Sequence, residues 1–188
     1  MADTGDDDTR LMLRVRDGDA GAFEELVRRH QRSLVNLVYR YLGRSDRAED
    51  GAQDVFLKIY QARTTWRPEA KFTTWMYRIA VNHCLNVIRD RAKERAESLS
   101  TEDGDRELRD PRLRTPTDLM RQGELREAVR RALDRLPPNQ RMAVLLYRYH
   151  EMSYREIAEA LDTTEKAVKS LLARSKDNLK DHLKRWID

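Results

Sequence analysis

The chain has 188 residues, of which 37% are charged and only 7% aromatic, with a formal net charge of +4. That length holds one domain or two small ones, and so little aromatic mass calls for modest helical cores. Seven glycines and no β-branched runs argue against sheets, and no apolar stretch approaches a membrane span.

Charge is unevenly placed along the chain. Residues 1–93 carry a net +3, residues 94–118 a net −3 and residues 119–188 a net +4. Two basic blocks flanking an acidic connector suggest a nucleic-acid partner. The single cysteine, Cys84, cannot close an internal disulfide and fits a reducing cytoplasm. The first ten residues, acidic and without an apolar segment, are expected to form a disordered tail rather than a secretory signal.

From residue 11 the elements follow in order. Asp17-Gly18-Asp19 breaks and caps ahead of a helix with Phe23, Leu26, Val27, Leu34, Leu37, Val38 and Tyr41 on one stripe. Gly43 ends it, and Ser45 or Asp46 starts the next, with Ala48, Ala52, Val55, Phe56 and Ile59 inward. The opposite side of that helix presents Asp46, Asp50, Gln53, Asp54 and Leu57. An acidic stripe holding a leucine is either a solvated face near a helix start or a docking surface for a protein.

A basic loop, Arg63 to Lys71, holds Trp66 and Arg67, with Pro68 blocking helix. A long helix then opens at Phe72 and is expected to run to about Lys93, with Met76, Ile79, Ala80 and Val87 inward. Arg78, Asn82, Asn86 and Arg89 recur at helical spacing along its other face. Asparagine is a poor helix former, so two in register with two arginines suit a face for hydrogen bonding. Asparagine pairs with base edges, arginine with phosphate or guanine, and aromatics such as Phe72 and Trp75 stack on unpaired bases. For at least two of Trp66, Phe72 and Trp75 the core is the better expectation.

Residues 94–118 lack apolar periodicity and include Gly104, Pro111 and Pro116, which marks a flexible linker. Beyond it, Ser153 and Glu156 form a capping box for a short helix. Asp162-Thr163-Thr164 turns the chain, with Thr163 or Thr164 capping a second helix. Ala158 is small where the two helices cross, and Ile157, Leu161, Val168, Leu171 and Leu172 supply their contacts. The free side offers Lys166, Lys169, Ser170 and Arg174. This is a helix-turn-helix pattern, whose second helix enters the DNA major groove.

The run Asp46-Arg47-Ala48-Glu49-Asp50 through Gln53-Asp54-Val55-Phe56-Leu57-Lys58, followed by Phe72 and Trp75 through Asn82, resembles the second conserved region of bacterial sigma factors. Leu136-Pro137-Pro138 and Arg141, with Ser153 through Ser170, resemble the fourth. With no third region between them, the order resembles that of the extracytoplasmic-function (ECF) group. The resemblance implies an all-α fold of two small helical domains. Region 2 would cover 11–93 after a tail over 1–10, a linker 94–118, and region 4 would cover 119–188.

It also implies roles. Asp46, Asp50, Gln53, Asp54 and Leu57 fall where such proteins grip the β′ clamp helices of core RNA polymerase, the docking alternative above. Arg67, Lys71, Phe72, Trp75, Arg78, Asn82, Asn86 and Arg89 fall where the −10 element is melted and its non-template strand held. Arg155, Thr164, Lys166, Lys169, Ser170 and Arg174 fall where the −35 duplex is read. Core polymerase, including its β flap, promoter DNA and an anti-sigma factor are the implied partners, in the cytoplasm and without membrane insertion. The linker would thread toward the RNA exit path, its acidity imitating RNA. The chain departs from the pattern at Leu171, where many relatives carry arginine, and at Thr164-Glu165-Lys166, so no relative's −35 preference carries over.

No catalytic constellation, cofactor or metal site is expected. His83 and Cys84 are sequence neighbours pointing about 100° apart on a helix, and Cys84 is expected to be a packing residue. A rival function is a stand-alone operator-binding regulator, and another is an RNA-binding or scaffold protein. The operator binder has no need of the acidic stripe and the aromatic–asparagine helix, and the RNA-binding or scaffold protein predicts no preference for paired duplex motifs.

Overall fold

The computed structural model describes residues 4–43, 47–98 and 118–187, and all the regular structure among them is helical. Eight helices are seen there: α1 Thr4–Arg16, α2 Ala20–Leu42, α3 Ala48–Gln61, α4 Phe72–Ser98, α5 Asp118–Asp134, α6 Pro138–Tyr149, α7 Tyr154–Ala160 and α8 Glu165–Ile187.

Helix α1 corrects the expectation of a disordered tail for residues 4–10, and residues 1–3 lie outside the described ones. It begins at Thr4, and Asp8 is buried rather than solvated. Its carboxylate lies 3.1 Å from Arg29 Nη1 and 2.8 Å from His30 Nε2. Partners on α2 therefore hold the acidic start of the chain, while Met12 and Val15 bury their side chains in the core. Desolvation raises the Asp8 pKa, but bonding to His30 and Arg29 outweighs it and leaves the carboxyl below its ordinary value.

Helix α2 starts where Asp19 Oδ1 accepts from the Ala22 amide at 3.0 Å, a side-chain N-cap. It stops at Gly43, whose φ of 71° supplies the left-handed residue that turns the chain off the helix. The α2 stripe packs on α3 through Ala48, Gly51, Ala52, Val55, Phe56 and Ile59. Gly51 is dictated by proximity: a Cβ there would meet Val38 Cγ1 at 2.9 Å and His83 Nε2 at 3.2 Å. Helix α4 closes this body with Phe72, Met76, Tyr77, Ala80, Val81 and Cys84 buried. It runs five residues past the expected end at Lys93, so the expected linker begins as helix. Residues 99–117 lie outside the described ones.

The C-terminal body is built on α6, where Met142, Leu145 and Leu146 are fully buried. Pro137 and Pro138 open that helix, a position where the missing N–H costs nothing. Around it pack α7 and α8, the latter tied by Ser175 Oγ to the Gln140 carbonyl at 3.4 Å and by Asn178 Nδ2 to Gln140 Oε1 at 2.9 Å. Helix α5 lies along α8.

The two bodies are in contact, not held apart by a tether as the sequence suggests. Helix α7 packs on α4 and helix α6 on α2. Arg141 of α6, buried, sends Nη2 to the Arg40 carbonyl at 2.7 Å and pairs with Asp134.

Candidate functional site

The first face is on α3. Gly51, Ala52, Val55 and Phe56 turn inward, which leaves Asp50, Gln53, Asp54 and Leu57 exposed together on the other side. Leu57 is 58% exposed, high for a leucine flanked by carboxylates. Asp46, expected beside them, lies outside the described residues. Behind the stripe Lys58 Nζ approaches His83 Nδ1 at 3.3 Å. Desolvation and that ammonium hold the His83 pKa below its ordinary value, so the imidazole is a neutral neighbour.

The second face belongs to α4 and the loop before it. Arg78, Asn82, Asn86 and Arg89 are exposed along one side of the helix, with Arg67 and Lys71 exposed at its head. Phe72 departs from the expectation that it touches DNA. It is 0% exposed, set between the rings of Trp75 at 6.1 Å and His30 at 5.6 Å. It is the plug that seats α4 on α2, in keeping with the expectation that at least two of the three aromatics are core. Trp66 is buried too, 6.0 Å from Trp75. Trp75 alone of the three keeps part of its ring at the surface.

The third face is the helix-turn-helix. Ser153 Oγ accepts from the Glu156 amide at 3.2 Å while Glu156 Oε2 accepts from the Ser153 amide at 2.9 Å, the reciprocal box read in the sequence. The turn needs a left-handed residue, and Asp162 supplies it at φ 51°. Thr164 Oγ1, rather than Thr163, caps α8 by accepting from the Ala167 amide at 3.2 Å. Lys166, Lys169, Ser170 and Arg174 all stand exposed on α8. Lys169 Nζ sits 5.9 Å over the Tyr154 ring, and Arg155 reaches Glu159 at 3.1 Å on the surface of α7. Such an exposed pair is worth about 0.5 kcal/mol, so a phosphate can take Arg155 from Glu159 at small cost.

Two groups that the sequence did not single out gather at the seam between the bodies. Tyr77 Oη lies 2.7 Å from Ser33 Oγ and 2.8 Å from His150 Nδ1, and the Arg40 guanidinium lies 3.9 Å over the Tyr149 ring. Ser33 and His150 are 117 positions apart, and no local pattern announces such a pair. Beside this seam a cavity of about 370 Å³ opens between α2 and α5, lined by Tyr39, Arg40, Leu125, Val129, Leu133 and Tyr149.

Cys84 is fully buried and its thiol is pushed up to about 12, chiefly by desolvation, which disfavours the thiolate. Among the described residues no group of histidine, cysteine and carboxylate side chains gathers around a metal-sized space, and no helix is long and apolar enough to cross a membrane.

Comparison with known proteins adds to this geometry. The family Sigma-70 region 2 matches residues 26–94, and Sigma-70, region 4 matches residues 126–179. The chain is 31% identical to the RNA polymerase sigma-H factor of Pseudomonas aeruginosa over 93% of its own length and 92% of the relative's. It is 34% identical to the ECF RNA polymerase sigma-E factor of Escherichia coli over 90% and 91% of the two chains. Among solved structures, CnrH in complex with the cytosolic domain of CnrY covers 95% of this chain and 97% of its own, with a TM-score of 0.71 at 23% identity. The Bartonella quintana sigma factor RpoE, in complex with the anti-sigma factor NepR, covers 86% of this chain and 96% of its own, with a TM-score of 0.68 at 22% identity.

Proposed function

This chain belongs to the ECF sigma factors, the subunits that take RNA polymerase into promoter-specific initiation, and from that premise we propose how its three faces divide the work. Asp50, Gln53, Asp54 and Leu57 form the seat for the β′ clamp helices. Arg67, Lys71, Trp75, Arg78, Asn82, Asn86 and Arg89 hold the opened −10 strand. Arg155, Thr164, Lys166, Lys169, Ser170 and Arg174 read the −35 duplex, on the same C-terminal body that meets the β flap. The N-terminal body is thus the region 2 unit and the C-terminal body the region 4 unit.

One observation carries this division: a single chain presents three exposed faces of different chemistry, an acidic-apolar one on α3, an arginine–asparagine one on α4 and a basic one on α8. Phosphate repels the first, so it serves a protein. The second offers base-edge partners beside an aromatic, which suits an unpaired strand more than a duplex. The third has the charge and placement of a major-groove helix, where each phosphate contact releases a counterion and makes binding salt-dependent. An operator-binding regulator needs only the third.

Bond making in RNA synthesis stays with the polymerase on this reading, and the chain contributes position and charge. A proteinaceous inhibitor is the remaining partner. RpoE is seen in complex with the anti-sigma factor NepR, and CnrH in complex with the cytosolic domain of CnrY. The apolar cavity rimmed by Arg40, Arg126 and Arg130 would suit an amphipathic helix bearing acids.

The test is selection of transcripts from a random promoter pool by core polymerase with and without this chain. Paired motifs enriched only when both are present support the proposal. Tight sequence-specific duplex binding by the chain alone, with no change in start sites, would favour the operator-binding class instead.

A further inference from the structure

The C-terminal parts of α5 and α8 meet around a cleft of about 330 Å³ that belongs to none of the three faces. Ala128 and the buried Ala132 line it from α5, and their small side chains leave the space open. Arg131 of α5 and Arg135, just past the end of that helix, line it at spacings of three from the two alanines. On α8, Arg185 and Trp186 follow His182 by three and four positions, which puts all of them on one side of the helix. From Lys169 to Arg185 the helix rises about 24 Å and turns about 160°. The cleft therefore lies beyond and behind the side of α8 assigned to the −35 duplex.

Cations near the end of a helix ordinarily bond its last carbonyls. Among the described residues none of the Arg131, Arg135 and Arg185 guanidiniums does so. Their ion pairing is equally thin. Glu127 Oε1 is 3.8 Å from Arg131 but 2.7 Å from Arg130, which holds it, and Arg135 and Arg185 have no ion pair among the described residues. Guanidinium stays charged at any physiological pH, so three fixed positive charges border a small space with little to balance them. Trp186 keeps part of its ring exposed, with the Arg185 guanidinium 5.4 Å from the ring centre. An indole of this kind is a platform for a flat aromatic ring, and a nucleobase stacks on one whatever its sequence.

We propose that this cleft binds a nucleoside polyphosphate, with the base stacked on Trp186 beside His182 and the phosphates held by Arg131, Arg135 and Arg185. Arginine forks donate two hydrogen bonds at once to phosphate oxygens, which makes them the apt donors here. Size and charge together select this ligand. The volume is at the lower end of the ~300–1,000 Å³ range of small-ligand pockets, room for one nucleotide and not for a run of them. One nucleotide of a strand brings a single negative charge to that space, whereas a nucleoside di- or triphosphate brings roughly three or four. The site lies wholly within the C-terminal body and is independent of how the three faces divide their work.

Isothermal titration calorimetry of the full chain with ATP, GTP, AMP, adenosine and inorganic tripolyphosphate tests it, at about 0.1 M salt and without magnesium. ATP or GTP should bind one to one with a Kd below about 100 μM. AMP and adenosine should bind at least about ten-fold more weakly, since they leave guanidiniums without phosphate. Tripolyphosphate should bind about five-fold more weakly than the better nucleotide, for want of a stacked base. Arg131→Gln with Arg135→Gln should lower nucleotide affinity at least about ten-fold with far-ultraviolet ellipticity unchanged. Trp186→Ala should weaken the nucleotide and leave tripolyphosphate as it was, and Lys169→Ala, on the DNA-reading side, should bind nucleotide as the parent does. No saturable binding of either triphosphate overturns the site. So does AMP that binds as tightly as ATP, or a loss in Lys169→Ala equal to that in the arginine variant. A single-stranded RNA 12-mer pool or a polyaspartate peptide that binds more tightly than either triphosphate, and loses that affinity in the arginine variant, overturns the nucleotide in favour of a strand or a protein.

Discussion

Arg141 and Arg40 meet across the two bodies, guanidinium to main-chain carbonyl, at 2.7 Å. The acceptor belongs to the last turn of α2, where helix carbonyls have no partner within the helix. The donor is buried, pairs with Asp134 and lies 5.4 Å from the centre of the Tyr41 ring. One side chain thus serves a helix end, an ion pair and an aromatic face, and two of its three partners belong to the other body.

Arg141→Ala should therefore destabilise the chain by about 2 kcal/mol, since it leaves a buried carbonyl under-satisfied and Asp134 unpaired. Asp134 is 39% exposed, which screens its share of the loss. For a chain of this size that corresponds to a fall in Tm of about 4–8 °C. Arg141→Lys keeps the charge but not the planar fork, and should recover less than half the loss. Scanning calorimetry of the three proteins checks this, and an unchanged Tm in the alanine variant would mean that the contact carries no weight.

Two glycines in helices should respond in opposite directions to the same change. Gly51→Ala places a Cβ 2.9 Å from Val38 Cγ1, a stiff β-branched side chain that is fully buried. Overpacking of that kind costs about 1–3 kcal/mol, more than the ~1 kcal/mol of helix propensity gained. Gly123→Ala on α5 meets nothing within 4 Å, so it should keep most of that propensity gain. Urea midpoints that move the same way for both would contradict the close approach of α2, α3 and α4 at Gly51.

What could be read from the residues was what is local. The capping box at Ser153 and Glu156, the turn at Asp162 and the exposed row Asp50, Gln53, Asp54 and Leu57 each follow from spacing within one or two helical turns. What escaped depends on contacts distant in sequence. Asp8 looks like a solvated tail until Arg29 and His30, more than 20 residues away, are placed beside it. Phe72 has a stacking residue's chemistry and a core residue's surroundings, and only the packing of α2 on α4 decides between them. The seam has no sequence signature, because Tyr77 and His150 are 73 positions apart. Charge pattern suggested two separate basic bodies, whereas the apolar and polar surface they share is spread thinly over both.

Leu57→Ala should separate docking from folding. The side chain is 58% exposed on α3 and packs on nothing that its loss would hollow out, so stability should change by no more than about 0.5 kcal/mol. An apolar residue ringed by acids is the natural anchor of a protein interface, and truncating such an anchor costs about 1–2 kcal/mol, roughly ten-fold or more in affinity. Asp54→Arg should weaken the same association by reversing a rim charge, with a larger effect at low salt. Fluorescence anisotropy of labelled chain titrated with core polymerase measures both. Wild-type affinity in the two variants would place the docking surface elsewhere.

Acid should open the seam, and the sign follows from His150. Burial, with the Arg40 charge on α2 adding to it, lowers the imidazole pKa to about 4. Its other neighbours there, Ser33 of α2 and Tyr77 of α4, are hydroxyls, and desolvation pushes the Tyr77 pKa above its ordinary value, so no anion at the cluster welcomes the proton. When the bodies part, His150 returns toward its ordinary value near 6.5. The closed chain then binds fewer protons than the open one between those two values. Closure is therefore at full strength above about pH 6.5, weakens as pH falls toward 4 and changes no further below that, a total on the order of 3 kcal/mol. His83, also held below its ordinary pKa, titrates inside the N-terminal body and shares the direction but not the location. His150→Gln keeps an acceptor for the Tyr77 hydroxyl and removes the titration. Energy transfer between dyes on the two bodies, followed from pH 7.5 to 5 at constant ionic strength, should fall in the parent chain and stay nearly level in the variant. Equal slopes in the two would assign the opening to some other group.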